Sequence, residues 1–514
     1  MPSSDPASCL DVALVHWPVA HGRIADNHRE LLRLNRRAAE LGARVIVNTE
    51  MALSGYGFDS REEIAPLTET AEGPTVETLA DLAREHGLYL ALGLAERDPL
   101  TDAFHNCALL LGPDGRIQAR RRKVTAEAKW ACPGPAVQDD CCDTPFGRLG
   151  LLICSETYFS LLPRLMALKG VDLLLVPANW PPGAMDPARI WRCRALENGI
   201  HLAACNRSGQ DRRMDCDQAR SHLFDPQGAD LLASQPVEPG LFLARLPLEE
   251  GRLPGQQRRR RLAKRQPDRY HYLASQLNRI QDLTGFLGLP APGRLEVHCL
   301  TGLGEGPLEL ESLVRRLLTQ AKPDLRLALL PGHLPATTDL EGLTRLADTS
   351  GVNLLFRVLT PDRGSALVHC APDAAAPVRL PANGDQPGEP PYLDLGPARV
   401  GLATAEDLMH PELALALAKR GCDLVAVSSP RLGEVQLDLL ALRSLERLAV
   451  AVASPGAALI SGLPQGHSLG ALEWAGWGQS CTMSLDTGQT RSKVYEELID
   501  YPALLAAPAG EAAA

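Results

Sequence analysis

The sequence lacks long hydrophobic runs, and none of its 514 residues lies in an apolar stretch of about 18 or more. A helix needs about 20 mostly apolar residues to cross a bilayer, so we expect no membrane partner. The opening residues, MPSSDPASCL, also lack the basic and apolar regions of a secretory signal. The expected location is therefore the cytoplasm.

Neither an excess of positive charge nor paired cysteine motifs are present. The 52 Lys and Arg residues are outnumbered by 62 Asp and Glu, which gives a net charge of -10 and disfavours a nucleic-acid partner. The 13 cysteines are scattered without a C-x-x-C pair, which argues against a disulfide framework or a zinc ribbon. We expect reduced thiols, most of them small core residues, and neither a metal nor a cofactor.

The sequence does contain a regular alternation of strand-like and helix-like segments over its first 245 residues. Residues 26–41 carry apolar side chains on one helical face, and Gly42 follows as a stop signal. Buried strands are predicted from short apolar runs at 43–50, 88–96, 148–154, 171–179 and 200–209. This alternation predicts an α/β protein with a layered sandwich architecture.

The pattern restarts after residue 294 and resembles the first half. KGVDLLLV at 169–176 aligns with RGCDLVAV at 420–427, and FGRLGLLIC at 146–154 aligns with PARVGLATA at 397–405. Both pairs are 251 residues apart, which predicts a tandem duplication. The predicted organisation is a first domain at 1–273, a linker at 274–293 and a second domain at 294–514.

Three polar residues stand at or just after the ends of predicted strands in the first half. Cys154 ends an apolar strand just before a helix, where backbone amides lower a thiol pKa and face a developing oxyanion. Glu50 ends the run VIVNTE and is a candidate general base. Lys123 follows a strand and turn and could stabilise an oxyanion. Each residue taken alone also fits an ordinary structural or solvated role.

Taken together, these segments resemble the nitrilase superfamily, the carbon–nitrogen hydrolases, over about residues 10–273. The resemblance rests on VNTEMALSGY around Glu50, RRKVTAE around Lys123 and GLLICSETYF around Cys154. It is supported by RALENGIHLAACNRSG, SHLFDPQG and KRQPDRY further along the chain. The resemblance implies αββα four-layer sandwich domains and a catalytic triad, with Glu50 as base, Lys123 as oxyanion stabiliser and Cys154 as nucleophile.

The resemblance also implies a second glutamate that helps to position the substrate. Glu127 matches it best, although it follows Lys123 by only four residues, closer than is usual in the family. Glu156 is expected to be a pocket-wall or structural acid. The remaining predicted substrate-binding residues are Trp130, Ser155, Tyr158, Asn179 and Trp180.

The second copy lacks the triad. The alignment pairs Cys154 with Ala405, Glu50 with Gly332, and Lys123 with a position near Ala382. We therefore expect a catalytically dead domain. The segment 410–421 keeps an apolar helical face, and nitrilase-like domains commonly pair through the equivalent helix. We predict an intramolecular pseudo-dimer, with further homo-oligomers possible; a ligand in the relic cleft is an alternative.

The expected function is hydrolysis of a small amide, N-carbamoyl compound or nitrile through a cysteine thioester. Amides are the default substrates, because they are the commoner chemistry in the superfamily that the sequence resembles; the motif itself does not separate amides from nitriles. A glutamine-amidase domain of a synthetase would need an SGG-type phosphate loop, and SSPRLGE at 428–434 is not one. The alternative from another class is a non-catalytic regulatory or scaffold protein built from two binding modules.

Overall fold

A computed structural model describes residues 8–183, 185–233, 238–301, 325–361, 364–380, 391–462, 474–475 and 480–506. The chain forms two compact units. The first runs to Arg265 and includes Leu498–Leu504, and the second runs from Gln266 to Glu497. The boundary between the units therefore falls shortly before residue 273, and the predicted position near Ala382 lies outside the described residues.

The first unit contains two sheets. Its strands are β1 (Cys9–His16), β2 (Val45–Val47), β3 (Tyr89–Arg97), β4 (Phe104–Leu111), β5 (Ile117–Arg122), β6 (Cys141–Thr144), β7 (Gly147–Leu151), β8 (Leu173–Pro177), β9 (His201–Cys205), β10 (His222–Phe224) and β11 (Gly240–Pro247). One sheet has the order β11-β1-β2-β3-β4-β5 and the other β10-β9-β8-β7-β6. Strands β1, β2 and β3 are mutually parallel, as are β7, β8 and β9.

Helices cover the sheets of the first unit. They are Ile24–Glu40, Arg61–Ile64, Pro74–His86, Leu161–Leu168, Pro187–Asn198 and Gln256–Leu262. Leu31 and Leu79, from two of these helices, belong to one buried apolar cluster with Ile46 and Leu92 of the first sheet. The parallel strands and their covering helices give the α/β architecture that the alternation of the sequence predicts.

The second unit also contains two sheets. Its strands are β12 (Arg294–Cys299), β13 (Leu325–Leu334), β14 (Asn353–Leu359), β15 (Ser365–Cys370), β16 (Val378–Leu380), β17 (Tyr392–Leu395), β18 (Ala398–Leu402), β19 (Leu424–Ser428), β20 (Ala449–Ser454), β21 (Ala457–Ser461), β22 (Trp474–Ala475) and β23 (Cys481–Asp486). The sheet orders are β16-β15-β14-β13-β12-β23 and β17-β18-β19-β20-β21-β22. The helices are Leu283–Leu287, Leu340–Ser350, Pro411–Lys419, Glu434–Leu442 and Thr487–Thr490, and a short helix, Tyr501–Leu505, lies towards the end of the chain.

Apolar side chains of the second unit form two layers. One layer lies between the two sheets and includes Leu355 of β14 and Leu424 of β19. The other lies beneath the helix Leu340–Ser350 and includes Phe356 of β14. Successive residues of β14 therefore point alternately into the space between the sheets and towards the helix, as strand geometry requires.

Equivalent backbone contacts occur in the two units. The N–H of Asp172 donates to the carbonyl of Arg148 at 2.8 Å, and the Asp172 carboxylate accepts the Arg148 N–H at 3.0 Å. Asp423 and Arg399, each 251 residues further along, form the same two bonds at 2.8 and 2.9 Å. Among the residues that the structure describes, no helix is long and apolar enough to cross a membrane.

Candidate active site

Glu50 lies in a tight turn after β2, and not in the strand itself. Its neighbour Met51 has a φ of 53°. The turn lies so close to β3 that a Cβ on Gly93 would stand 2.5 Å from the Thr49 carbonyl oxygen and 2.8 Å from the Glu50 Cα. Only glycine permits this approach, so Gly93 lets the turn place the buried Glu50 side chain at this edge of the sheet.

Cys154 follows β7 and opens a 3-10 helix, Cys154–Tyr158. Its φ of 45° is in the left-handed region, which is uncommon for a residue other than glycine and is found at sites where the surroundings hold it. The helix predicted after the nucleophile is divided in the structure, because Phe159 is extended before the α-helix Leu161–Leu168 begins. The turn is therefore a separate element that presents the sulfur.

Glu156 holds this turn in place. Its carboxylate accepts the backbone N–H of Ile153 at 2.8 Å and that of Val124 at 2.9 Å. The guanidinium of Arg121 donates to the same carboxylate at 2.7 Å and to Asp140 at 2.8 Å. One buried carboxylate thus joins the residue before Cys154 to the residue after Lys123, which is a structural role.

Lys123 brings two glutamates together. Its Nζ donates to Glu50 Oε1 at 2.8 Å and to Glu127 Oε1 at 2.7 Å, and its side chain is 2% exposed. A lysine ammonium has three hydrogens, so one is left for another acceptor. Glu127, despite its short separation from Lys123 in sequence, therefore lies in the same cluster as the predicted triad.

Two further residues of this cluster were missed by the sequence analysis. The Asn106 side-chain amide donates to Glu50 Oε1 at 2.7 Å and to Glu127 Oε2 at 3.1 Å. The Tyr56 hydroxyl donates to Glu127 Oε1. The available signals were weak: a polar residue early in the apolar run of β4, and a tyrosine six residues after Glu50.

Burial and charge set the proton positions. Burial raises the pKa of Glu50, and the charge of Glu127 adds to this, while Lys123 opposes it. Burial and the nearby Glu50 also raise the pKa of the Cys154 thiol, while Lys123 and the N–H of Asn179 act to lower it. The sulfur is therefore a protonated thiol at rest. Among the described residues, Glu50 Oε2 has no hydrogen-bond partner, so this oxygen is available to accept a proton.

Lys123 and Glu127 are both ionised. Burial alone would lower the pKa of Lys123, but Glu127 and Glu50 outweigh it and raise that pKa well above its usual value. Burial alone would likewise raise the pKa of Glu127, but the Lys123 charge lowers it. The site thus contains the ammonium of Lys123 fixed beside the carboxylate of Glu127. The ammonium is the positive charge that this site can offer to a substrate.

A recess of about 210 Å³ lies next to this cluster. Its lining residues are Met51, Tyr56, Gly57, Phe58, Glu127, Ala128, Lys129, Trp130, Arg213 and Met214. Glu127 and Trp130, both predicted as substrate-binding residues, are in this set. The lining is mostly apolar with a few charged groups, as is common for small-molecule sites.

The other predicted pocket residues are not part of the recess lining. The Ser155 and Thr125 hydroxyls are 3.2 Å apart, and Asn179 Oδ1 accepts the Arg207 guanidinium at 2.9 Å. The Tyr158 carbonyl accepts an Arg194 N–H at 2.9 Å.

Trp180 packs edge-on against Trp191, with ring centroids 6.0 Å apart. Asn179 acts on the site through its backbone N–H, which lowers the pKa of the Cys154 thiol. Within the described part of the chain, no group of three or more His, Cys, Asp or Glu residues is arranged to hold a metal ion.

Comparisons with known proteins agree with this fold. The carbon-nitrogen hydrolase family matches residues 11–253. A nitrilase of Pyrococcus abyssi is 32% identical over 192 residues, which are 36% of this chain and 70% of that protein. The human deaminated glutathione amidase is 30% identical over 49% of this chain and 81% of its own length. The omega-amidase NIT2-B of Xenopus laevis is 27% identical over 44% and 84%, respectively.

The fold and these similarities define an enzyme that hydrolyses carbon–nitrogen bonds. The chain belongs to the carbon–nitrogen hydrolase family, the nitrilase superfamily. The family match lies within the first unit, where Glu50, Lys123 and Cys154 are found.

Proposed function

We propose that the first unit hydrolyses a small amide through a thioester on Cys154. The observation that carries this proposal is the unpartnered Oε2 of the buried Glu50, whose other oxygen is held by Lys123 and Asn106. A carboxylate fixed at one oxygen and open at the other suits a general base beside a protonated thiol.

In the first half-reaction, Glu50 accepts the thiol proton as the Cys154 sulfur forms a bond to the amide carbonyl carbon. The carbonyl oxygen becomes an oxyanion, which the third hydrogen of Lys123 and the backbone N–H of Ser155 stabilise. The carbon–nitrogen bond then breaks, and Glu50 gives its proton to the leaving nitrogen. The products of this step are a thioester and ammonia or an amine.

In the second half-reaction, Glu50 accepts a proton from water while the water oxygen attacks the thioester carbon. The carbon–sulfur bond breaks, the sulfur recovers the proton, and a carboxylic acid leaves. Glu127 keeps Lys123 charged and oriented throughout. Asn179 stabilises the developing thiolate through its N–H, and Tyr158 and Trp180 support the nucleophile turn and its neighbouring loop.

The substrate we propose is a small amide with an anionic group away from the scissile bond. The recess volume of about 210 Å³ suits a small ligand, and Trp130 supplies an apolar wall. Lys129 and Arg213 line the recess and share one carboxylate, Asp59, so this group of three side chains has one excess positive charge; the other charged lining residue, Glu127, is paired with Lys123. The names of two relatives, an omega-amidase and a deaminated glutathione amidase, agree with amide substrates.

We further propose that residues 294–514 form a catalytically dead nitrilase-like domain, derived from the first by duplication. Support comes from the equivalent bonds of Asp172 and Asp423 and from Ala405 and Gly332 at the triad positions. This domain would act as an intramolecular pseudo-dimer partner, and larger homo-oligomers are compatible with it. A cytoplasmic location is also proposed: the described residues include all 13 cysteines, and no disulfide is formed.

The test is ammonia release from a panel of amides, nitriles and ureido acids, combined with thiol labelling by chloroacetamide. We expect amides to be hydrolysed and Cys154 to be labelled faster than the exposed Cys132 once the recess is occupied by the electrophile. Glu50→Gln should slow labelling of Cys154 and leave that of Cys132 unchanged. Equal labelling of all cysteines, with no ammonia from any compound, would support the scaffold alternative.

A further inference from the structure

Arg357 is a buried arginine in the middle of an apolar strand of the second unit. It belongs to β14, and its side chain is 2% exposed. Leu355, two residues earlier, is in the core layer between the two sheets, whereas Phe356 faces the helix. Side chains two apart in a strand share a face, so Arg357 points into the space between the sheets.

The place of Arg357 in the second unit can be matched to the first unit through backbone contacts. The N–H of Glu50 donates to the Ala178 carbonyl at 3.3 Å, and the N–H of Gly332 donates to the Ser429 carbonyl at 2.9 Å. Ser429 is 251 residues beyond Ala178, the same separation as the other repeated contacts. Gly332 therefore occupies the position of the general base, as the sequence alignment predicts.

Strand register then identifies the counterpart of Arg357. Ile46 pairs with Leu90 in the first unit, and Ala328 pairs with Leu354 in the second. Gly93 lies three residues after Leu90, and Arg357 lies three residues after Leu354. Gly93 and Arg357 therefore occupy equivalent positions in the two units. These residues pair in turn with Ala108 and Leu367 on the next strand.

The two units thus differ in which of two corresponding positions carries a long side chain. In the first unit, Gly93 has no side chain and the Glu50 turn lies directly against it. In the second unit, Gly332 has no side chain, Arg357 has a long one, and β13 shifts its register between Leu329 and His333. A cation therefore occupies the region where the first unit holds its carboxylate.

The guanidinium of Arg357 has an unused edge. Its Nη1 lies 3.4 Å from the Ser365 hydroxyl. By strand register, Ser365 occupies the position that Asn106 has in the first unit. Within the described residues, neither Nε nor Nη2 has a hydrogen-bond partner. These two N–H groups are adjacent and coplanar, and they form the edge with which arginine binds a carboxylate through two parallel hydrogen bonds.

Asp407, the carboxylate whose charge acts on Arg357, is already engaged by other donors. Its carboxylate accepts the N–H of Thr404 at 2.9 Å and the Thr404 hydroxyl at 2.7 Å, and Arg269 donates to it at 3.2 Å. Burial lowers the pKa of Arg357, and Asp407 only partly offsets this effect. Among the described residues, Asp407 thus pairs with Arg269 and acts on Arg357 without forming a salt bridge to it, so these three side chains have one excess positive charge. A buried cation without a paired counter-ion is costly.

We propose that the second unit binds a small monocarboxylate anion through Nε and Nη2 of Arg357, at the position that corresponds to the active site of the first unit. A monoanion neutralises the single excess charge. A phosphate dianion would overcompensate it beside Asp407, so we assign the site to a carboxylate. This inference stands whether or not the proposed amide chemistry of the first unit is correct.

The experiment uses the full chain with Cys154→Ala, titrated with sodium acetate by calorimetry at constant ionic strength. Adding Arg357→Met should weaken the tightest acetate site by about 10- to 100-fold, the effect of losing hydrogen bonds to a charged group. Arg357→Lys, which keeps the charge and loses the two-pronged geometry, should give an intermediate affinity. The matched control is Arg345→Met, an exposed arginine of the same unit, which should bind acetate like the parent.

Thermal unfolding gives a second reading on the same variants. Acetate should raise the melting temperature of the parent and of Arg345→Met, and it should have little effect on Arg357→Met. Without acetate, Arg357→Met should melt no lower than the parent, because it removes an uncompensated buried charge. An undiminished acetate response in both Arg357 variants would overturn the proposal, and a larger response to inorganic phosphate than to acetate would overturn the assignment to a carboxylate.

Discussion

The turn that carries Cys154 and the turn that carries Ala405 share one backbone device. In the first, the carboxylate of Glu156 accepts the N–H of Ile153, and in the second, the carboxylate of Asp407 accepts the N–H of Thr404. Each acceptor lies three residues after its donor and two residues after the central position. The central residue is a thiol in one turn and a methyl group in the other.

The charges around the two turns differ more than the turns themselves. In the first unit the Glu50 turn lies against Gly93, and in the second unit the corresponding positions are Gly332 and Arg357. Backbone hydrogen bonds and core packing supply the stability of each unit, so side chains in the cleft can change without loss of the fold. The comparison teaches that this framework supports either a nucleophile with its base or a buried cation.

The largest difference between the two turns should appear in kcat when the central residue of each turn is substituted. Cys154→Ala should reduce kcat for amide hydrolysis by about 10⁶-fold, the scale seen when a catalytic nucleophile is removed. Ala405→Ser, at the matching position of the second unit, should leave kcat unchanged. Steady-state ammonia release measures both, and a comparable loss in the two variants would show that the units do not divide the chemistry in this way.

A smaller difference is expected for the acids that hold the turns. Glu156→Gln should destabilise the protein by about 3–5 kcal/mol, because it leaves the buried Arg121 without one of its carboxylates. Asp407→Asn should cost a comparable amount, about 3–5 kcal/mol, because it removes the carboxylate that faces two buried guanidiniums, those of Arg269 and Arg357. Melting temperatures measured by calorimetry compare the two effects.

Activity below the melting temperature separates the turn acids further. Glu156→Gln should lower kcat, because Ile153 and Val124 flank two of the proposed catalytic residues. Asp407→Asn should retain the parent kcat. Equal kcat values for both variants would mean that Glu156 stabilises the first unit without positioning its nucleophile.

The smallest expected effect is a shift in the pH dependence of Cys154 alkylation. The charge of Glu127 helps to raise the pKa of Glu50 above its ordinary value, and Glu50 must be ionised to accept the thiol proton. Alkylation of Cys154 should therefore fall as pH drops through this raised pKa. Glu127→Gln removes the repulsion, so the acidic limb should move to lower pH. The rate of chloroacetamide labelling from pH 4 to pH 8 measures the shift, and a move to higher pH would contradict the assignment of Glu50.

Sequence patterns predicted the general architecture and singled out the main residues of the polar cluster. They did not predict the contacts that support this cluster. Apolar runs and amphipathic segments indicated the α/β class, because burial imposes the same periodicities in any such fold. Glu50, Lys123 and Cys154 were singled out because each lies at or after the end of a predicted strand and because the segments around them resemble the nitrilase superfamily; their catalytic roles stay a prediction. Asn106 was missed, since a polar residue inside a strand has no distinctive spacing and its role depends on partners distant in sequence.

Other features could not be predicted because they depend on close three-dimensional approach. The need for glycine at position 93 comes from a loop 43 residues earlier in the chain, the Glu50 turn. The unused edge of Arg357 depends on which neighbours do not reach it. Ser155 and Trp180 were expected in the pocket from their positions after strands, but neither is among the residues that line the recess.

The protonated, buried state of Cys154 has a consequence for the lifetime of the enzyme. Hydrogen peroxide oxidises thiolates far more readily than thiols, and repeated oxidation converts a cysteine to sulfinic and sulfonic acids that cannot be recovered by ordinary reductants. In the proposed mechanism, Glu50 accepts the proton only as the bond to carbon forms, so the resting sulfur, whose pKa is raised by burial, presents little thiolate to oxidants. An idle molecule should therefore tolerate oxidative stress that inactivates enzymes with permanently ionised cysteines.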